Sequence, residues 1–170
     1  LQYSLSGAGS ENFSISSTGE ITLAASLNFE AQTQYTLEVT SSDGINAMTE
    51  EIIIYVVNDN EAPSLLVQDF SVSEASSLNS VLTTAVGNDP ENSTISYSLS
   101  GGGDKFSIDN NGQITLTDAL DYESNATYEL TVFASDGLFS VPKIITITVT
   151  DANDAPSLSS SVAFNSFLEN

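Results

Sequence analysis

Apolar and polar side chains alternate along several short segments of the chain. In residues 35–39 (YTLEV) and 128–134 (YELTVFA) apolar side chains occupy every second position, which places them on one face of an extended strand. Residues 51–57 (EIIIYVV) and 143–150 (KIITITVT) are further runs of β-forming residues. No long window shows the 3.6-residue period of a helix. Short strands with turn signals about every 8 to 12 residues predict an all-β, antiparallel sandwich.

The same pattern occurs twice in the chain. Residues 3–44, which begin YSLSGAGSENFSI, resemble residues 97–137, which begin YSLSGGGDKFSI. After a one-residue gap, equivalent positions differ by 93 residues, as in Phe13 and Phe106, Tyr35 and Tyr128, and Pro63 and Pro156. A period of about 90 to 100 residues fits one β-sandwich domain and is longer than the repeat of a solenoid.

The proline of each repeat sets the predicted module boundaries. Residues 64–156 then form a complete module, with early strands in residues 69–74 and 81–86. Residues 1–63 form a partial module without counterparts of these early strands, and residues 157–170 have the pattern of the first strand of a third module. We therefore expect an unpaired sheet edge in the partial module. A strand within residues 157–170 of another copy could pair with that edge by strand exchange.

Composition and charge narrow the kinds of function. The chain has 170 residues, 40% of them hydrophobic, which is enough for one ordinary core or two small ones. No apolar run approaches the roughly 20 residues that cross a bilayer. Two basic and 23 acidic residues give a formal net charge of -21. Such a surface repels phosphate backbones and attracts cations, so nucleic acid is not an expected partner.

The chain contains no Cys and no His. This excludes disulfides, zinc sites of the usual ligand types, and catalysis that depends on a thiol or an imidazole. Any bound metal must therefore be held by oxygen atoms. Calcium is the cation expected, because it takes about six to eight carboxylate, amide and carbonyl oxygens.

Five motifs with acidic residues follow one another in the complete module. They are Glu74 in SVSEA, Asp89 and Glu91 in NDPEN, Asp121 and Glu123 in LDYE, Asp136 in ASDG, and Asp151, Asn153 and Asp154 in DANDAP. Taken singly, each has a plain interpretation as a turn, a hairpin loop or a solvated face. In this order and spacing they resemble the motifs of cadherin repeats, and the similarity covers nearly the whole chain.

The resemblance implies tandem Greek-key β-sandwich modules, similar to cadherin and immunoglobulin domains, with calcium bound at the linkers between them. At the first junction the implied ligands are Asn28, Glu30, Asn58, Asn60, Glu61, Asp89, Glu91 and Asp136. At the second junction they are Glu74, Asp121, Glu123, Asp151, Asn153 and Asp154, and the ligands of a following module are missing. Asn28 and Asn58 stand where the family pattern has acids, and their neutral oxygens imply weaker calcium binding at the first junction.

The resemblance implies a function in cell adhesion. Calcium bridging the two sides of an acidic linker would turn a hinge into a stiff rod, so the chain is expected to be a spacer or adhesion segment. The parent protein is expected to be extracellular or at the cell surface, either secreted or membrane-anchored. Expected partners are neighbouring repeats, another copy by homophilic contact, or surface glycans. The scarcity of Lys and Arg favours a bacterial adhesin.

Two other functions can be weighed against this one. A carbohydrate-binding accessory module of a secreted polysaccharide-active protein would also be a calcium-binding sandwich. The absence of Trp, and the core-like positions of Tyr97 and Phe106, disfavour it. Catalysis by the paired carboxylates Asp121 and Glu123 is disfavoured because Asn28 stands at the matching position of the first repeat, so the chain is not expected to be an enzyme.

Overall fold

A computed structural model of the chain describes residues 1–155. We call residues 1–57 the body of module one, residues 58–63 the linker at its end, and residues 64–155 module two. The strands of module one are β1 (Gln2–Ser6), β2 (Phe13–Ile15), β3 (Ile21–Leu23), β4 (Gln34–Ser42) and β5 (Ala47–Tyr55). Those of module two are β6 (Ser64–Leu66), β7 (Phe70–Ser73), β8 (Val81–Thr84), β9 (Val86–Asn88), β10 (Ser96–Gly101), β11 (Phe106–Ile108), β12 (Gln113–Leu116), β13 (Thr127–Ser135) and β14 (Ser140–Thr150). Residues 1–155 contain no α-helix, and hence none that could cross a membrane.

Module two consists of sheets that pack around one core. The largest has the order β10-β13-β14-β7, and a second has the order β11-β12-β8. The first three strands of the large sheet pair antiparallel, whereas β7 lies parallel to β14, with Phe70 opposite Ile147. Since parallel neighbours cannot be joined by a hairpin, the chain crosses over between them. The prediction of an all-β sandwich is confirmed.

The alternation seen in the sequence determines which residues form the core. In β13 the residues Leu130, Val132 and Ala134 are fully buried, and the residues between them are not. The same edge-to-face aromatic pair occurs in each module: Phe13 with Tyr35, with ring centroids 5.2 Å apart, and Phe106 with Tyr128, at 5.5 Å. These pairs are equivalent in the repeat, so the two modules share this part of their core packing as well as their sequence.

The core of module one is less covered than that of module two. Its sheets have the orders β1-β4-β5 and β2-β3, and within residues 1–155 no strand pairs with the outer edge of β5. Leu116 is fully buried, but its repeat equivalent Leu23 is 63% exposed. Similarly, Ile147 in β14 is buried, whereas Ile54 in β5 is half-buried. An apolar groove of about 490 Å³ therefore runs along module one, where β7 and β8 cover the core in module two.

One early strand differs from its prediction. Residues 81–86 form two short strands, β8 and β9, separated by the buried Ala85. The N–H of Ala85 donates to the carbonyl oxygen of Gly112 (2.8 Å), and β9 then pairs with β6 instead of β12. The phenol oxygen of Tyr97 accepts the N–H of Gly87 at 2.6 Å and holds this change of partner in place. The predicted strand of a third module, residues 157–170, lies outside the described residues.

Candidate metal centre

Two groups of acidic side chains lie at opposite ends of module two. Asp136 follows β13 in the hairpin that leads into β14, and Asp151 follows β14 directly. Because β14 is an extended strand of eleven residues, its two ends are far apart. The first group faces module one and its linker. We call it junction one, and we call the group after β14 junction two.

Three glutamates from separate segments meet at junction one. Glu30 precedes β4, Glu61 lies in the linker, and Glu91 follows β9. Each offers a carboxylate oxygen, and these oxygens lie within 4.8 Å of one another. Glu30 and Glu91 also line a cavity of about 330 Å³ with Asn58, together with Phe29, Thr33, Pro90 and Asn92. Junction one thus gathers carboxylate oxygens from module one, the linker and module two.

Glu91 lies close enough to Glu61 for the neighbouring carboxyl to affect its ionisation. Sharing a proton with Glu61 raises the pKa of the Glu91 carboxyl above its ordinary value, and burial acts in the same direction. When both groups are ionised there is no proton to share, and the two oxygens of Glu91 then have no hydrogen-bond donor among residues 1–155. Like charges at this distance favour uptake of either a proton or a cation.

Asp89 provides a second sign that a cation fits junction one. It is 4% exposed, and its Oδ1 accepts the N–H of Ser93 at 2.9 Å. Its Oδ2 is buried and finds no hydrogen-bond partner in the described part of the chain. Leaving a buried carboxylate oxygen without a partner is costly. A hard cation bound by oxygen would satisfy it, so the residues present fit calcium.

Asn60 connects the linker to module two without a metal. Its Nδ2 donates to Oδ2 of Asp136 at 2.7 Å, and the Oδ1 of Asp136 accepts the N–H groups of Leu138 (2.7 Å) and Phe139 (2.6 Å). The hydrogen bond from Asn60 is the largest cause that lowers the pKa of Asp136 below its ordinary value. Asp136 is therefore held as an ionised carboxylate that faces the linker.

Asn28 lies in the same loop as Glu30, but its oxygen is already engaged. The N–H of Ala31 donates to Oδ1 of Asn28 at 2.6 Å, which closes the turn before β4. The carboxylate cluster of junction one is formed by three glutamates, and Asn28 is not one of them. This side chain has a clear structural role in the loop.

Junction two gathers the acids of module two. Glu74, Glu123 and Asp151 present carboxylate oxygens within 4.8 Å of one another. Glu74 accepts the N–H of Tyr122 (2.6 Å) with Oε2 and the N–H of Ala152 (2.6 Å) with Oε1, so it links the LDYE loop to the segment after β14. The adjoining cavity, about 300 Å³, is lined by Glu74, Ala75, Leu120, Asp121, Ala152, Asn153 and Asp154.

Asp121 is held in its loop by one serine. Its Oδ1 accepts the N–H of Ser124 at 2.9 Å, and its Oδ2 accepts the hydroxyl of the same residue at 2.8 Å. The hydrogen bond from the hydroxyl is the largest cause that lowers the pKa of Asp121. This side chain is thus an ionised carboxylate at the edge of junction two.

Sequence reasoning missed some residues that shape junction one. Asn92 and Thr33 line the cavity beside the glutamates, and neither was proposed as part of the site. Asn92 has a φ of +60°, and Asn is among the few non-glycine residues that adopt this left-handed conformation readily. An Asn after Pro90 and Glu91 is typical of a tight turn, and this pattern is the feature of the sequence that could have indicated a role for Asn92.

Comparison with known proteins identifies relatives of the whole chain. A family model described as the cadherin domain matches residues 68–165. Protocadherin Fat 4 of Mus musculus is 33% identical to this chain over an alignment of 171 residues, gaps included. The alignment covers 92% of this chain and 3% of that protein. Cadherin-7 of Homo sapiens is 32% identical over 157 residues, which cover 80% of this chain and 20% of that protein. The chain therefore spans a small part of the length of these relatives.

Solved structures of cadherin domains share the fold of this chain. The crystal structure of human protocadherin-24 EC1-2, form II, matches this chain with a TM-score of 0.71 at 24% identity. The match covers 89% of this chain and 82% of that chain, so the two proteins have the same fold. Extracellular cadherin domains 3–6 of protocadherin gamma B2 give a TM-score of 0.69 at 26% identity, with 90% of this chain and 40% of that chain covered. The protocadherin gammaB7 EC3-6 cis-dimer structure gives a TM-score of 0.62 at 30% identity, and the match covers 91% of this chain and 41% of that chain.

Proposed function

The chain belongs to the cadherin family, and from that premise we propose that it is a calcium-stiffened segment of an adhesion protein that acts outside the cell or at its surface. The two modules would serve as rigid units, and the acidic linker between them as a joint that calcium stiffens. Because the chain spans only 3% of protocadherin Fat 4, the adhesive activity and the partners of the full protein are part of this proposal.

The buried, unpartnered Oδ2 of Asp89 is the observation that carries the proposal. It lies two residues from Glu91, where the three glutamates of junction one converge. A formal charge of -21 over 170 residues makes such a convergence unfavourable unless cations offset it. Two features close together in the chain thus favour cation binding at junction one: a buried oxygen of Asp89 that has no partner among residues 1–155, and a set of carboxylates that repel each other.

The residues of junction one would hold calcium from both sides of the linker. Glu30 belongs to module one, Glu61 to the linker, and Asp89, Glu91 and Asp136 to module two. When bound, calcium supplies positive charge and accepts oxygen ligands from all three segments. Glu30 and Glu91 would then be fixed relative to each other, and the two modules could no longer bend freely about residues 58–63. Junction two would act in the same way toward a following module, through the acids of Glu74, Asp121, Glu123, Asp151 and Asp154 and the oxygen of Asn153.

Extracellular calcium modules bind at about 10⁻⁴ to 10⁻³ M, which matches the calcium concentration outside cells. A site with an affinity in this range would be filled outside cells and empty inside them, which is what the proposed extracellular or cell-surface location requires. Contact with another copy of the chain is supported by the protocadherin gammaB7 structure, which is a cis-dimer. No observation favours the carbohydrate-binding alternative or an enzymatic role for Asp121 and Glu123.

Small-angle X-ray scattering with calcium and with EDTA tests the proposal. We expect calcium to increase the maximum dimension of the chain and to reduce its flexibility. Asp89→Asn should shift this change to a higher calcium concentration. Glu129→Gln, an acid-to-amide change at an exposed position of β13, is the matched control. It should leave the calcium concentration at which the scattering changes unaltered. Superimposable scattering curves with calcium and with EDTA would contradict the proposed function.

We propose that residues 64–156 form a complete module and residues 1–63 a partial one. We further propose that the groove of the partial module can accept a strand from a second copy of the chain. The groove is lined by Phe13, Ile21 and Val56 among others, and the equivalent surface of module two is covered by its own β7 and β8. Residues 157–170 of a second copy are the proposed donor, because they occupy the same part of the repeat as β6 and β7. A chain that ends at Ala155 should form fewer oligomers in light scattering at high concentration, and an unchanged oligomer content would count against strand exchange.

A further inference from the structure

The turn between β11 and β12 contains Asn111 followed by Gly112, and no other Asn of the sequence is followed by Gly. Asn is among the chemically labile residues of proteins. We propose that Asn111 is a site of spontaneous deamidation, and that folded module two suppresses the reaction by holding Gly112 between Asp109 and Ala85. The reaction needs neither an enzyme nor calcium, so it is separate from the proposed function of the junctions.

Deamidation at this site would begin with attack by the backbone nitrogen of Gly112 on Cγ of Asn111. A bond forms between this nitrogen and Cγ, the bond between Cγ and Nδ2 breaks, and ammonia leaves with the hydrogen that the Gly112 nitrogen gives up. Water then opens the cyclic imide at either of its two carbonyl groups, which yields Asp or isoaspartate. Glycine favours the first step because it has no Cβ to obstruct the attack.

Asp109 holds both reacting groups of this pair in the turn. The N–H of Gly112 donates to the carbonyl oxygen of Asp109 at 3.0 Å. The Oδ1 of Asp109 accepts the N–H of Asn111 at 2.9 Å, and its Oδ2 accepts Nδ2 of Asn111 at 3.3 Å. A hydrogen bond from the N–H of Gln113 is the largest cause that lowers the pKa of Asp109, so its carboxylate stays ionised. Ring closure requires rotation of Asn111, which breaks these bonds.

Ala85 covers the turn from the neighbouring segment of module two. Gly112 is buried, and its carbonyl oxygen accepts the N–H of Ala85 at 2.8 Å. The two backbones are so close that a Cβ on Gly112 would clash with the carbonyl oxygen of Ala85. The peptide group of Gly112 therefore has little room to rotate toward the side chain of Asn111. We expect the reaction to proceed only when this part of module two opens.

Module one contains the same turn without this cover. Thr18 and Gly19 are the repeat equivalents of Asn111 and Gly112, and the N–H of Gly19 donates to the carbonyl oxygen of Ser16 at 3.0 Å. The Oγ of Ser16 accepts the N–H of Thr18 at 3.2 Å, as the carboxylate of Asp109 does in module two. Residues 1–57 include no counterpart of β8 or Ala85, and Gly19 is only half-buried. The chain thus offers a matched position at which only the cover is missing.

A double variant, Ser16→Asp with Thr18→Asn, tests the role of the cover within a single molecule. It gives module one the Asp and the Asn–Gly pair of the module-two turn, both at exposed positions. The chain is incubated in mildly alkaline buffer, with and without urea, and mass spectrometry of its peptides follows conversion of each amide to an acid. In the folded chain we expect the introduced Asn to react at least about tenfold faster than Asn111, because Asn111 must wait for local opening. In urea the two rates should be similar.

Two changes at Asp109 test its part in the protection. Asp109→Ala removes the acceptor for the N–H groups of Asn111 and Gln113, and we expect the rate at Asn111 to rise severalfold in the folded chain. Asp109→Ser retains an acceptor, as Ser16 does in module one, and should raise the rate less. Circular dichroism checks that every variant is folded, and light scattering that it is monomeric.

A slow reaction at Asn111 in the folded chain, a fast one in urea, and a fast one at the introduced Asn in both conditions would support the proposal. Equal rates at the two asparagines in the folded chain would overturn the role of Ala85. An unchanged rate in Asp109→Ala would overturn the role of Asp109. If Asn111 does not react even in urea, it is not a site of deamidation. None of these results depends on whether calcium stiffens the chain.

Discussion

Leu23 and Leu116 occupy the same position of the repeat, yet the same substitution should have different effects at the two sites. Leu116 in β12 is fully buried, and Leu116→Ala would leave a cavity in the core of module two. Changes of this kind cost about 2 to 5 kcal/mol of unfolding free energy. Leu23 in β3 is 63% exposed, so little more than one third of it is covered. Scaling about 2 kcal/mol for complete burial of a leucine by that fraction gives about 0.7 kcal/mol for Leu23→Ala.

Differential scanning calorimetry of the two variants can measure this difference. The buried residues of the two modules form separate clusters, so we expect two transitions, and each variant identifies the transition of its own module by shifting it. Leu116→Ala should lower the melting temperature of module two by about 10 °C or more, since 1 kcal/mol corresponds to several degrees in a domain of this size. Leu23→Ala should shift the transition of module one by only a few degrees. The measurement is made at a concentration at which light scattering shows a monomer.

An equal cost at the two positions would refute this reasoning. It would mean that Leu23 is covered in solution, although residues 1–155 leave it exposed. Repeating the measurement on a chain that ends at Ala155 would then identify the cover. If the cost of Leu23→Ala falls in the shortened chain, residues 156–170 fill the groove of module one.

Three further substitutions test contacts within module two. Tyr97→Phe leaves the N–H of Gly87 without its acceptor, and we expect urea unfolding to show a loss of about 1 to 3 kcal/mol. The Nζ of Lys105 lies 2.6 Å from the Oδ2 of Asp118 and lowers the pKa of the Asp118 carboxyl. The pair therefore stabilises the fold at pH values above the pKa of Asp118 in the unfolded chain. This stabilisation is lost as the pH falls through the lower pKa of Asp118 in the folded chain. The difference in unfolding free energy between wild type and Asp118→Asn should therefore disappear on acidification, and a constant difference would contradict this origin. In urea unfolding, Gly112→Ala should lower the unfolding free energy by about 1 to 3 kcal/mol. Gly112 has a φ of +76°, and a Cβ at this position would clash with the carbonyl oxygen of Ala85.

The strands could be predicted because their signals are local and occur twice. Alternation over residues 128–134 placed Leu130 and Val132 in the core, and both are fully buried. The repeat also predicted an unpaired sheet edge in module one. Within residues 1–155 no strand pairs with the outer edge of β5, and Leu23 is 63% exposed. The parallel pairing of β7 with β14 was not predicted, because it joins segments about 75 residues apart and depends on the crossover of the whole module.

The candidate site was predictable as a set of residues but not as a set of contacts. The resemblance to cadherin repeats predicted the side chains of each junction, and the structure brings three of the predicted acids together at each one: Glu30, Glu61 and Glu91 at junction one, and Glu74, Glu123 and Asp151 at junction two. The resemblance did not indicate that Asn60 donates to Asp136, because that contact depends on how the linker meets the β13–β14 hairpin. Nor did it indicate that the oxygen of Asn28 closes a turn, although Ala31 in place of Ser124 was a visible difference between the two copies.

The parallel pairing of β7 with β14 also determines how module two would respond to tension. Chain enters the module near the start of β7 and leaves it at the end of β14, so a pull along the chain draws these two strands in opposite directions past each other. Four residue pairs join them, from Phe70 opposite Ile147 to Ser73 opposite Thr150. The hydrogen bonds between the strands lie across the direction of pull and share the load, so they must break together instead of opening one at a time from an end. Once the short strand β6 has separated from β9, we expect module two to extend little until these four pairs break.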